Sequence, residues 1–244
     1  MYNKRQLQMS KLILFDIDGT LVLTGRAGVR AMTRALVDVF GINDGFADIS
    51  LAGRTDRYLL GLALEQNQVV LNARELDRFR ERYVRYLVEE VPKRGEGRKG
   101  VMPGITALLD TLEQRDDVFL GLLTGNFADA ARIKLEYFDL WRYFRCGAYG
   151  DDAHDRNDLV PVALARAREC GNGGSFDRIF IVGDTPHDIA CAAAGNAMSI
   201  AVATGGFDVS TLRAAGADVV FQDLSDTQAF VKFLEGKAPF DSAR

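Results

Sequence analysis

Three apolar runs, residues 12–15, 118–123 and 179–182, end abruptly in polar side chains and glycine or turn chemistry. Each is too short for a helix and reads as a buried strand. The polar residues at their ends are Asp16, Thr124 and, after Gly183, Asp184. A fourth run, 198–203, stops at Thr204, and a fifth covers 218–221. Helical patterns over 104–112, 128–138, 159–167 and 209–215 separate these runs. Such alternation predicts an α/β fold, a doubly wound parallel sheet covered on both faces. Ligands of open parallel sheets bind beyond the carboxyl ends of the strands, so Asp16, Thr124 and Asp184 are expected at one edge.

Between the first two runs lies an insertion that breaks the alternation and is predicted to be helical throughout. Val29, Met32, Thr33, Leu36, Val37 and Phe40 recur at three- and four-residue steps, as do Leu76, Phe79, Tyr83, Tyr86 and Leu87. Two such stripes must pack on one another, which predicts a second, smaller all-helical domain over residues 24–95, inserted into a core of 1–23 and 96–244. The return segment 93–100 carries three glycines and alternating charges. It reads as a mobile linker whose basic residues are solvated.

Charge limits the partners. Thirty basic against 34 acidic residues give a net charge of −4, so no global positive field recruits a nucleic acid. The Ala-rich stretch 189–203 is too short to span a bilayer and reads as helix, turn, strand. The polar start, residues 1–10, contains no signal-peptide core. Cys146, Cys170 and Cys191 form no CxxC pair and are odd in number, which predicts buried free thiols and a cytoplasmic address. A small molecule, rather than nucleic acid or membrane, is the expected partner, and no feature specifies an oligomer.

Asp16 and Asp18 stand two apart at a strand end, so both carboxylates face one side if the strand pitch continues. Two neighbouring anions fit a hard divalent cation such as Mg²⁺, and equally an Asp-Gly turn with solvated aspartates. A second acidic pair, Asp184 and Asp188, opens a helical pattern four residues apart. Asp184 there is either a cation ligand or an N-cap preceding Pro186, and His187 is expected on the helix surface, facing away from both aspartates.

The segments Asp16-Ile17-Asp18-Gly19-Thr20, Leu122-Leu123-Thr124-Gly125-Asn126 and Gly183-Asp184-Thr185-Pro186-His187-Asp188, in this order, resemble three signatures of the haloacid dehalogenase superfamily. The insertion resembles the helical C1-type cap of its phosphoglycolate phosphatase-like members. The resemblance implies a Mg²⁺-dependent hydrolase that cleaves a small phosphomonoester through an aspartyl-phosphate on Asp16. Asp18 would be acid and then base, Mg²⁺ would be held by Asp16, Asp18, Asp184 and Asp188, and Thr124, with the Gly125 backbone and Asn126, would bind the phosphoryl oxygens. A sugar phosphomutase of the same superfamily and a non-catalytic Mg²⁺/phosphate-binding regulatory protein are the alternatives.

The sequence departs from the family pattern where a Lys-Pro pair usually supplies a basic residue. Residues 151–159 carry Arg156 as their permanently charged cation, with His154 as rival and pairing of Arg156 to Asp152 or Asp158 as the structural alternative. In the cap, Gly53-Arg54-Thr55-Asp56 reads either as a substrate loop, with Arg54 on an anionic group of the leaving portion, or as a solvated arginine before a helix capped by Thr55 or Asp56. The glycine-rich segments 171–174 and 205–206 fit no phosphate loop and read as turns.

Overall fold

The computed structural model describes residues 11–171, 173 and 175–236. The expectations for 1–10 and for Asn172 and Gly174 fall outside them. The chain runs β1 (Lys11–Phe15), β2 (Val22–Thr24), α1 (Ala27–Phe40), α2 (Asp56–Gln66), α3 (Ala73–Glu90), β3 (Lys99–Val101), α4 (Ile105–Glu113), β4 (Val118–Leu123), α5 (Ala128–Tyr137) and β5 (Cys146–Ala148). It continues through α6 (Leu159–Cys170), β6 (Arg178–Gly183), α7 (Pro186–Ala194), β7 (Met198–Val202), α8 (Val209–Ala214), β8 (Val219–Phe221) and α9 (Thr227–Leu234).

Among the described residues, six parallel strands form one sheet in the order β5-β4-β1-β6-β7-β8. The sheet is covered on both faces, which explains why every residue of β4 is buried. Ile13, Phe15, Leu120 and Leu122 pack with α4, α5 and α9 on one face, while Leu12, Leu14, Phe119 and Leu123 pack with α6 and α7 on the other. Each fully buried side chain of this kind contributes about 1.5–3 kcal/mol. The register sets Phe15 beside both Leu122 and Val182, so β1 ends level with its two neighbours.

The helical insertion has its own apolar cluster, built from Ala31, Met32, Ala35 and Leu36 of α1, Leu59, Leu60 and Ala63 of α2, and Phe79, Tyr83 and Leu87 of α3. Phe127 and Ala130 of the core join it, so the cap packs directly onto the start of α5. Helix α3 opens with a capping box between Asn72 and Glu75, and α2 opens on Thr55, whose hydroxyl accepts from Tyr58 N–H at 3.1 Å.

Four expectations are corrected. The insertion is not helical throughout, because residues 41–55 follow the left-handed Gly41 as an irregular loop. The return segment is no loose linker: β3 pairs antiparallel with β2, and Glu96 N–H donates to Gly25 O at 3.1 Å. Of its basic residues, Lys93 and Arg94 are exposed, whereas Arg98 Nη2 donates to Thr204 O and Lys99 Nζ to Val91 O, each at 2.5 Å. The three thiols are free, but Cys170 is exposed and only Cys191 is buried. No described helix is long and apolar enough to cross a membrane.

Candidate active site

The strand order completes what the apolar runs implied. Asp16 follows β1, its N–H still donating to Val182 O at 2.9 Å, with Thr124 past β4 and Asp184 past β6. All three side chains are buried and line one cavity of about 400 Å³ under the cap. The cap side of that cavity carries Val29, Met32, Leu51, Arg54 and Leu59.

Carboxylate atoms of Asp16, Asp184 and Asp188 lie within 4.8 Å of one another, and all three residues are buried. Asp188 is the most committed. Its Oδ2 accepts from Thr185 N–H at 3.0 Å and Thr185 Oγ1 at 2.7 Å, closing the capping box of α7, and its Oδ1 accepts from Arg156 Nη2 at 2.5 Å. The cap of α7 is therefore Thr185 and not Asp184, whose Oδ1 accepts from Thr20 Oγ1 at 3.2 Å.

Arg156 Nη2 also lies 3.0 Å from Asp16 Oδ1, in a side chain 7% exposed. His154 is exposed at the surface, and Asp152 pairs with Arg166, so neither the rival nor the loop pairing is what the fold adopts. Burial pushes Asp16 up to about 6, with Arg156 opposing and Asp188 and Asp18 reinforcing the rise. Burial and the Asp188 and Asp16 charges likewise push Asp184 well above the usual carboxylate range. Three buried carboxylates against one guanidinium leave uncompensated negative charge, the condition a hard cation relieves.

Two glycines open the space around Asp184. A Cβ on Gly205 would sit 1.7 Å from Asp184 Oδ2, and one on Gly19, at φ +88°, would sit 2.5 Å from the same atom. Gly205 is thus more than a turn. An all-oxygen donor set with such clearance fits Mg²⁺.

Strand geometry ends at Phe15, yet Asp18 lines the same cavity as Asp16 and its charge adds to the rise at Asp16. The Asp18 carboxylate is not among the three that cluster, and its Oδ2 accepts from Lys134 Nζ at 2.6 Å and Asn126 Nδ2 at 2.8 Å. Asn126 Oδ1 accepts from Lys134 at 2.6 Å, and Asn126 Nδ2 also donates to Thr124 Oγ1 at 2.8 Å. Lys134 escaped the sequence reading. A lysine three and four residues after the buried Ala131 and Ala130 was the available signal, since it falls on the apolar face of α5.

The loop 53–56 docks the cap onto this edge. Asp56 N–H donates to Gly125 O at 2.7 Å, Phe127 N–H to Asp56 Oδ2 at 2.9 Å, and Thr55 Oγ1 to His154 O at 2.9 Å. A Cβ on Gly125 would meet Arg54 O at 2.1 Å, so only glycine admits the loop so near. Arg54 lines the cavity with its Cζ 4.6 Å from the centre of the Tyr58 ring. His187, expected on the open helix surface, is half-buried against Gly53 instead.

The family model described as haloacid dehalogenase-like hydrolase matches residues 13–202. A phosphoglycolate phosphatase of Agrobacterium fabrum is 29% identical over 218 residues, covering 89% of this chain and 90% of that protein. A probable phosphatase, IndB, of Dickeya dadantii is 30% identical over 224 residues, covering 89% and 92%. The crystal structure of a hydrolase from Pseudomonas syringae superposes with a TM-score of 0.67 at 24% identity, covering 95% of this chain and all of that one, a likeness of fold.

Proposed function

Because this chain belongs to the haloacid dehalogenase-like hydrolases, we propose that it is a Mg²⁺-dependent phosphatase acting on a small phosphomonoester through an aspartyl-phosphate on Asp16. The observation that carries the reading is the convergence of Asp16, Thr124, Asp184 and Arg156 on one buried cavity. We assign residues 1–23 and 96–244 to the catalytic core and 24–95 to the cap that shelters it.

Asp16, Asp184 and the backbone carbonyl of Asp18 would hold Mg²⁺, with Asp188 supporting the set from the helix start. The cation, when bound, neutralises charge between the nucleophile and a phosphoryl dianion. A carboxylate oxygen of Asp16 attacks phosphorus as the ester P–O bond breaks, and Asp18 gives its proton to the departing alkoxide. Asp18 then takes a proton from water, whose oxygen attacks the same phosphorus and returns the free Asp16 carboxylate with inorganic phosphate. Thr124 Oγ1 accepts from Asn126 N–H and Nδ2, which frees its own proton for a phosphoryl oxygen, beside the Gly125 N–H. Arg156 balances charge on Asp16 and the transferring group. Arg54 faces the leaving portion, where the relatives' names suggest a carboxylate such as that of phosphoglycolate.

The test measures phosphate release from a panel of metabolite phosphates with and without Mg²⁺. Asp16→Asn is expected to abolish release. Asp18→Asn is expected to do the same while keeping more Mg²⁺ affinity than Asp184→Asn, since its carboxylate stands outside the acidic cluster. Metal-independent release, or none from any substrate, would refute the reading.

A further inference from the structure

We propose that Lys134 is a positioning residue that, through Asn126, holds the Asp18 carboxylate at the reaction centre. The inference rests on the reading of Asp18 as proton donor and acceptor. Asp18 is a demanding residue to place: its side chain is 41% exposed, its strand has ended, and the acidic cluster beside it repels it. A carboxylate so situated samples several rotamers unless something fixes it.

Lys134 is that fixture. Its side chain is 4% exposed, and an ammonium so buried requires a counter-charge and hydrogen-bond acceptors. Asp18 Oδ2 and Asn126 Oδ1 supply them, both at 2.6 Å, and Asp18 is the carboxylate in direct contact, so burying Lys134 favours Asp18 in this one position. Asn126 closes the triangle by donating to the same Oδ2 at 2.8 Å. With Oδ2 held twice, Oδ1 is the oxygen turned over to proton transfer.

The anchor stands on rigid elements. Lys134 belongs to α5, which begins four residues after Thr124, and Asn126 hydrogen-bonds the Thr124 hydroxyl, so one run of linked side chains sets both the proton-transferring group and the phosphoryl contact. The cap covers it: a Cβ on Gly28 of α1 would lie 3.3 Å from Lys134 Nζ and 3.6 Å from the Tyr83 hydroxyl. A glycine there lets α1 rest over the ammonium without crowding it.

The test compares Lys134→Met with the parent enzyme on an alkyl phosphate, whose leaving oxygen needs a proton, and on 4-nitrophenyl phosphate, whose leaving group does not. Misplacing the proton donor is expected to lower kcat for the alkyl ester about 10²-fold with KM within about twofold. The first-turnover burst of 4-nitrophenolate is expected to fall less than about tenfold. A crystal structure of the variant without metal is expected to show the Asp18 carboxylate displaced. Equal losses on both esters with a raised KM would make Lys134 a substrate contact, and unchanged kinetics would make it a bystander; either overturns the proposal, as does an unmoved Asp18. If Lys134→Met does not fold, Lys134→Gln and Asn126→Ala take its place in the same comparison. Asp16→Asn in the same assays separates the two readings: its retained turnover refutes the aspartyl-phosphate route, while the metal-free structure still judges whether Lys134 places Asp18.

Discussion

Nη2 of Arg156 sits 3.0 Å from Oδ1 of Asp16, with the two side chains 7% and 6% exposed. The same guanidinium reaches Asp188, so one residue compensates two buried anions. Arg156→Met removes that compensation and is expected to lower stability by about 3–5 kcal/mol in metal-free protein. Arg156→Lys keeps the charge without the planar fork and is expected to fall between Arg156→Met and the parent. Urea melts at pH 7 check both, and a Met variant as stable as the parent would contradict the pairing.

Mg²⁺ binding is expected to weaken as pH falls through about 6. Burial pushes Asp16 to about that value and Asp184 upward, so below it protons occupy the oxygens a cation needs. Calorimetric titrations in buffers of different ionisation enthalpy would register proton release on binding. Affinity that stays flat between pH 5 and pH 8 would contradict the assignment.

The clearance around Asp184 yields a matched set of variants. Gly205→Ala places a methyl group 1.7 Å from Asp184 Oδ2, whereas Gly206→Ala meets nothing within 4 Å. The first is expected to cost at least about tenfold in Mg²⁺ affinity, equal to about 1.4 kcal/mol, and the second to change it little. Gly19→Ala adds the strain of φ +88° to a similar collision and is expected to lower the melting temperature as well. Equal affinities for the Gly205 and Gly206 variants would sink the argument.

Asp56, buried where the cap meets the core, is pushed up to about 7 by burial, with Lys134 and the Phe127 N–H opposing. The folded protein therefore keeps a proton there that the unfolded chain releases near 3.8, and between these values the native state binds more protons. Stability is expected to fall as pH rises through that window, reaching its full loss above pH 7, by up to about 4 kcal/mol at about 1.4 kcal/mol per unit. Asp56→Asn, which still offers an oxygen to Phe127 N–H, is expected to flatten this slope and to be the more stable protein at pH 8. Melting curves across pH 5–8 decide it.

The five apolar runs and the amphipathic stripes of α1 and α3 were legible in the chain, because burial on both faces makes a strand a continuous apolar run and burial on one face gives a helix a 3.6-residue period. The strands β2, β3 and β5, three residues each, left no such pattern and were missed. Residues 41–55 failed for a related reason: a loop whose apolar residues pack into a helical cluster looks, in composition, like the helices beside it.

What the sequence by itself determined was the chemistry available at each strand end: carboxylates at positions 16, 18, 184 and 188, a hydroxyl at 124 and a guanidinium at 156. Residue identity and local pattern are properties of neighbours along the chain. Which oxygens face one another is not, because it depends on the strand order β4-β1-β6 and on where strand geometry stops. Only the tertiary structure sent Asp16 into the acidic cluster and Asp18 to Lys134, a residue 116 positions away. It also gave Gly19 and Gly205, which the sequence offers only as a signature residue and a turn residue, the task of leaving Asp184 room.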